Sequence, residues 1–295
     1  ILDLKDKMIT LVNRSIFDHH LWNVAADSGA SMYPNTTIRQ VEEEPDRVHL
    51  TIPQGRFTGR FIIGADGANS LLNRLFRIQK SNADRVLSLR VEMQPERPPL
   101  SAGEILISLG TVSRGYGWLF MREKVVNAGV YSIRHLGSRL RPALLRYLSQ
   151  WQLEPNPNEG ETIHGAWVSL GGLGGPWHKG RMLLAGEAGG LVDPFHGEGI
   201  NQAIHSGAIA AEVLSENLRR GTSDLSPYSL RIEQEIAADQ VRARKLAYLF
   251  YLLPRLSWSL CKWRQDICTE FLNLLSGETT YAHFLKEFRQ RLCRI

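Results

Sequence analysis

The stretch that most constrains the fold is "GRMLLAGEAGGLVDPFHGEGINQAI", residues 180–204. Met182-Leu183-Leu184-Ala185 is a short uninterrupted apolar run, the pattern of a strand buried on both faces. It ends at Gly186-Glu187. From Glu198 onward the residues read as a helix running to about Arg220, closed by Gly221 in the position favoured for a C-terminal cap. Strand, acidic residue, glycines and helix in that order predict an α/β layer with a loop of bare backbone at its edge. A helix start presents unpaired N–H groups and partial positive charge, so it suits an anionic ligand, and glycine allows close approach. A glycine-rich surface turn is the plainer account of the same residues, with Glu187 as a capping or surface charge.

The same order occurs earlier, in "GRFIIGADGANSLLNRLF", residues 59–76. Phe61-Ile62-Ile63 runs into Gly64-Ala65-Asp66-Gly67, followed by Ser70, Leu71, Leu72 and Arg74. Two such strand ends far apart in the chain predict one sheet interrupted by an insertion. A carboxylate at a strand end can accept hydrogen bonds from the vicinal hydroxyls of a ribose or ribitol.

Residues 85–170 supply the insertion. "VLSLRVEM", "EILISLG", "GYGWLFMR", "VVNAGVYS" and "GAWVSL" read as short strands, with a helix near 141–152 led by Pro142. This pattern predicts an antiparallel sheet. Tyr116, Trp118 and Phe120 alternate and so share one strand face, which is either a core face or a wall open to a ligand. "GGLGG" at 171–175 has no following helix, since Pro176 and Trp177 come next, and reads as a connector. In the helix after Glu198, Gly199, Ala203, Gly207 and Ala211 form a small-residue stripe able to lie tight against a sheet or a cofactor. Near the start, Ser15 and Asp18 stand at capping spacing, Phe17, Leu21 and Val24 share a face, and Gly29 ends the helix.

These motifs together resemble a known family. "GADGANS" resembles the second fingerprint of the p-hydroxybenzoate hydroxylase-like flavoproteins, and "LLAGEAGGLVDPFHGEGINQAI" resembles the third, in the form used by geranylgeranyl reductases. "VNRSIFDHHLWNVAADSGA" is similar to the family's Arg-x-x-Phe-Asp-x-x-Leu segment, and "GYGWLFM" to its Tyr-x-Trp-x-Phe-Pro motif. The chain departs from the pattern at Glu187, where the family more often has Asp, and at Met121, where it has Pro. The family's opening Gly-x-Gly-x-x-Gly unit is missing from the chain, which begins at Ile1. The expectation is therefore a fragment lacking roughly a third or less of the parent enzyme, which retains FAD poorly.

The resemblance implies an α/β fold with an α+β insert: an N-terminally truncated, Rossmann-like FAD-binding domain, an inserted antiparallel-sheet substrate domain and a helical C-terminal region. The expected boundaries are 1–80, 81–176, 177–222 and 223–295. It implies FAD as cofactor, held by Arg14, Asp66, Gly67, Glu187, Asp193, Pro194, Gly197, Gly199, Ile200 and Asn201. Tyr116, Trp118 and Phe120 would line the substrate. The proton donor is not identified, with Tyr116 and His196 as candidates. The implied activity is reduction of isoprenoid C=C bonds, with NAD(P)H or a reduced carrier as electron donor. The alternatives are a flavin monooxygenase or halogenase, and a non-catalytic lipid-binding module of the same fold.

Composition excludes other classes. With 295 residues, 43% of them hydrophobic and 22% charged, the chain can form two domains with cores. The C-terminal apolar run Ala247–Leu253 is too short to span a bilayer. Cys261, Cys268 and Cys293 show no Cys-x-x-Cys spacing, and the histidines no ligand spacing, so a metal site is not expected. Residues 240–295 carry ten Lys or Arg against four Asp or Glu, mixed with aromatics. This tail reads as a helical cap on the catalytic domains, with a peripheral membrane contact as the alternative and no nucleic-acid role. A cytoplasmic location, peripheral to the membrane in that alternative, is the expectation.

Overall fold

The computed structural model describes residues 9–76, 85–134 and 136–292. The chain divides into two compact units between Ile62 and Ile63. The first contains helix α1 (Arg14–Asp27) and an antiparallel sheet of β1 (Gln40–Glu43), β2 (Val48–Ile52) and β3 (Gly55–Gly59), in that order. The cap of α1 is Asn13 rather than the expected Ser15. Its Oδ1 accepts from the Ser15 amide at 3.1 Å and the Ser15 hydroxyl at 2.7 Å, which leaves Asp18 to pair with Arg14 at 2.9 Å. No residue of α1 is buried, and its Ile16 is 69% exposed.

Strand β4 (Ile62–Gly64) begins at the division, and α2 (Leu71–Phe76) follows in the second unit. Four strands follow, β5 (Arg85–Met93), β6 (Ile105–Leu109), β7 (Gly115–Arg122) and β8 (Val125–Ser132), then α3 (Leu140–Gln150) and β9 (His164–Ser169). The chain returns through β10 (His178–Lys179) and β11 (Met182–Leu184) to the long helix α4 (Ile200–Arg220). Among the described residues it continues through α5 (Ser226–Ile232), a π-helical turn (Glu233–Ala237), α6 (Ala238–Leu252), α7 (Pro254–Trp263), α8 (Gln265–Ser276) and α9 (Tyr281–Leu292).

The inserted segment forms the expected antiparallel sheet, in the order β6-β7-β8-β5-β9. Both faces are covered at β7, which therefore reads as a nearly continuous buried run rather than an alternating one. Leu119 and Met121 face α3, packing with Val91, Val130, Leu144 and Tyr147. Tyr116, Trp118 and the half-buried Phe120 face the other way, into a core shared with Phe195, Tyr251, Tyr281 and Phe284. The C-terminal helices are therefore a cap on the sheet, as the sequence predicts. Room for the Trp118 indole comes from its cross-strand partner Gly129, whose bare Cα lies directly under the ring.

Helix α4 ends where predicted, at a left-handed Gly221. Its buried stripe is Ser206, Ile209, Ala210, Val213 and Asn217. The small-residue stripe is offset from this face: Ala203 and Ala211 are exposed, while Ala203 approaches Gly186 and Gly199 approaches Val192 closely at the start of the helix. The larger Ile209 and Val213 bury more apolar surface than glycine or alanine, and they set the packed face.

Candidate functional site

Strands β4 and β11 are neighbours in a three-stranded sheet, with the Ala185 amide donating to the Gly64 carbonyl at 2.9 Å. Gly64 permits this packing, because a Cβ there would lie 2.9 Å from Leu72 Cδ1 and 3.0 Å from Leu184 Cδ2. The pairing aligns the two acidic strand ends. Asp66 Oδ2 accepts from the Leu71 amide at 2.6 Å, at the start of α2. Glu187 Oε1 accepts from the Ser169 amide at the end of β9 at 3.2 Å, and Oε2 lies 3.7 Å from where a Gly67 Cβ would stand. Gly67 and Gly186 both have positive φ, +73° and +55°, so each turn needs the backbone that glycine supplies.

The loop between Val192 and α4 is closed by its own aspartate. Asp193 is 3% exposed, and its Oδ1 accepts from the Phe195 amide at 2.7 Å and the His196 amide at 3.1 Å. The Gly197 amide donates to the Asp193 carbonyl at 2.9 Å, and the Asp193 amide to the Glu198 carbonyl at 2.8 Å. Gly197 sits at φ +74°, so the chain turns there and α4 begins at Ile200, two residues after the predicted start. Glu198 serves instead as a cap: its Oε1 accepts from the Asn201 amide at 2.8 Å. Pro194, Gly199 and Ile200 complete this loop and helix start.

Four tyrosine hydroxyls surround the loop. Tyr116 donates to the His196 carbonyl, Tyr131 to that of Pro194 at 3.3 Å, Tyr251 to that of Phe195 at 2.6 Å, and Tyr281 to Asp193 Oδ1 at 3.0 Å. Burial, reinforced by the Asp193 charge, pushes all four phenols above their usual range. His196 is engaged on both ring nitrogens: Nδ1 accepts from the Glu198 amide at 3.3 Å, and Nε2 faces Asp193 Oδ2 at 3.5 Å. Both candidate proton donors, Tyr116 and His196, thus hold the loop through hydrogen bonds of their own.

Among the residues expected to bind substrate, Tyr116 and Trp118 are only 7% and 9% exposed. The Trp118 Nε1 donates to Asn127 Oδ1 at 2.8 Å, which orients the indole along the sheet. Phe120 is the more open end of this aromatic row. Arg14 belongs to the first unit, where Asp18 holds it in a bidentate pair. The residues that sequence reading misses are Tyr131, Tyr251, Tyr281, Glu198 and Gln240. The last closes the connector: Gln240 Nε2 donates to the Leu191 carbonyl at 2.6 Å, and its side chain fills the space a Cβ on Gly171 would need. No cluster of three or more potential metal ligands occurs among the described residues. Cys261 and Cys268 are buried free thiols, and Cys293 lies outside the described residues.

The chain shares its fold with solved structures of a geranylgeranyl reductase-like protein and of an FAD-bound halogenase. A geranylgeranyl bacteriochlorophyll reductase-like protein from Thermoplasma acidophilum superposes with a TM-score of 0.75 at 22% identity, over 94% of this chain and 74% of that one. A point mutant of the halogenase PltM, in complex with FAD, gives 0.62 at 14% identity, over 80% and 52%. In sequence, the chain is 29% identical over 264 residues to a menaquinone reductase of Mycolicibacterium smegmatis, and 26% identical over 256 residues to a digeranylgeranylglycerophospholipid reductase of Thermoplasma volcanium. These alignments cover 83% and 80% of this chain, and 62% of each relative, so the chain spans less than two thirds of the curated relatives it matches. No family model matches.

Proposed function

We propose that the whole protein is an FAD-dependent reductase acting on C=C bonds of isoprenoid lipids. The observation that carries this reading is the alignment of Asp66–Gly67 with Gly186–Glu187 across β4 and β11, beside the Gly197 turn that opens α4. The residues fit FAD. Positive-φ glycines at 67, 186, 190 and 197 leave the backbone bare, and Glu187 offers a carboxylate for ribitol or ribose hydroxyls. The start of α4 adds a partial positive charge for the ring edge.

When bound, reduced flavin supplies the hydride equivalent for such a reaction. The protein's part is position and exclusion of water. Helices α6, α8 and α9 seal the Tyr116–Trp118 face, and Phe120 marks the end where an apolar chain would enter. Long isoprenoids suit such a wall, since each buried CH₂ contributes ~0.8 kcal/mol without polar contacts. The names of the reductase relatives support a lipid or quinone-tail substrate. NAD(P)H or a reduced protein carrier is the proposed donor.

Peripheral membrane contact belongs to the same reading. No Asp or Glu occurs from Gln240 to Gln265, while Arg242, Arg244, Lys245, Arg255, Lys262 and Arg264 do. In that segment Leu249, Leu256 and Trp263 are 65%, 64% and 82% exposed. Exposed apolar side chains within a run of cations are the makeup of an interfacial helix. No helix among the described residues is long and apolar enough to cross a membrane.

The test is anaerobic. The whole protein, reconstituted with FAD and reduced by dithionite, is mixed with geranylgeranyl lipid; reoxidation with addition of two hydrogens per double bond supports the reading. Inert lipid, together with hydroxylation or halogenation of an aromatic substrate under oxygen, would replace it by the reaction type of the halogenase neighbours.

A further inference from the structure

The residues from Asp193 to His196 have an unusual environment. Each of these four consecutive residues accepts a hydrogen bond from a different tyrosine, and the four tyrosines come from four elements: β7, β8, α6 and α9. Tyr116 and Tyr131 approach from the sheet. Tyr251 and Tyr281 approach from the C-terminal helices, and both are 5% exposed.

The helical side is itself fixed. Asp239, at the start of α6, accepts from the Tyr281 amide at 2.8 Å and the Ala282 amide at 2.9 Å, so it ties the first turn of α9 to α6. Further along α6, Arg244 Nε donates to the Gly171 carbonyl at 3.1 Å, beside the Gln240 bond to Leu191. Phe195 is packed among Phe250, Tyr251 and Phe271, with ring centroids 5.3, 5.3 and 5.4 Å away. Helix α6 therefore holds the loop and its approach: Tyr251 donates to the Phe195 carbonyl, Gln240 to that of Leu191 just before the loop, and Arg244 to that of Gly171 in the connector.

Buried carbonyls and a buried carboxylate without donors are costly, so a loop conformation that satisfies all four acceptors is strongly selected. That conformation contains the left-handed Gly197 and delivers the chain into α4. We propose that Tyr251 and Tyr281 are positioning residues for the cofactor-binding loop, holding the start of α4 in register through the Asp193–His196 turn. This inference rests on the FAD reading proposed above.

The experiment compares Tyr281→Phe and Tyr251→Phe, each of which removes one hydroxyl, with Tyr147→Phe. Tyr147 is equally buried but bonds Ser108 behind the opposite face of the sheet, so it reports general loosening. Two readouts are used. In FAD-free protein, hydrogen exchange at the amides of Phe195, His196 and Gly197 should speed up at least tenfold in Tyr281→Phe and Tyr251→Phe but not in Tyr147→Phe. In FAD-loaded whole protein, the flavin midpoint potential should become more negative in the two loop variants, because the helix start is no longer held against the charge of the reduced ring. Unchanged exchange and potential in both loop variants would overturn the proposal, as would equal changes in Tyr147→Phe. Failure of the wild-type protein to bind FAD would instead reject the cofactor reading, while the exchange experiment would still decide whether the tyrosines position the loop.

Discussion

Glu187 Oε2 lies 3.7 Å from the position a Cβ on Gly67 would occupy, although the whole inserted sheet separates these residues in the chain. This proximity brings the two acidic loops together, as the proposed FAD site requires, with Glu187 at the edge. Glu187→Ala in the whole protein should weaken FAD binding by roughly 1.5–3 kcal/mol, the scale of a hydrogen bond to a charged group. Glu187→Asp should recover part of the loss. Flavin fluorescence quenching measures the dissociation constant; an unchanged value would leave Glu187 a structural role, including its bond with the Ser169 amide.

Gly129 and Trp118 form the second test. Gly129→Ala should destabilise the fold by about 1–3 kcal/mol, the usual cost of overpacking a core. In the double variant with Trp118→Leu, part of that loss should be recovered, because the new methyl group meets the indole first, while the Leu89 carbonyl oxygen, 2.6 Å from the same position, stays in place. Urea unfolding reads both. Additive losses in the double variant would mean that the strain lies against the Leu89 carbonyl of β5 rather than the indole.

The four loop tyrosines predict an alkaline limit. Their folded-state pKa values lie above the ordinary phenol value of ~10, so above that pH the unfolded chain releases protons that the folded one keeps. Stability should be complete below about pH 10 and fall as pH rises beyond it. Phenolate absorbance from these residues should appear only together with loss of circular dichroism. Titration of all eight tyrosines in a still-folded chain would contradict the hydrogen-bonded, buried arrangement.

The basic, apolar surface of α7 predicts vesicle binding. Sedimentation with vesicles rich in phosphatidylglycerol should exceed that with phosphatidylcholine, weaken with salt, and drop several-fold in Leu256→Asp with Trp263→Ser. Equal binding to both vesicle types would remove the electrostatic part of the membrane proposal.

The elements legible in the sequence are those specified locally. Met182–Leu184 and its glycines, the Gly221 cap and the alternation of Tyr116, Trp118 and Phe120 each follow from neighbouring residues, and the structure has them. The start of α4 differs from its expected place because Glu198 fits a helix by propensity, while the left-handed Gly197 before it makes it a cap. The tyrosine ring is not legible. Tyr281 reaches Asp193 across 88 positions, and nothing in its own neighbourhood distinguishes it from other aromatic residues of the basic tail. The buried face of α4 differs for a related reason: spacing identifies a stripe of small residues, but the partner surface decides which stripe is covered.

The most direct measurement is the mass of an isoprenoid lipid after anaerobic incubation with the dithionite-reduced, FAD-loaded whole protein. The account predicts reoxidation of the flavin with mass gains of two hydrogens per double bond, slowed in Trp118→Ala more than its flavin content falls. Lipid of unchanged mass beside a flavin that stays reduced, with oxygen and an aromatic substrate giving a hydroxylated or halogenated product instead, would contradict it.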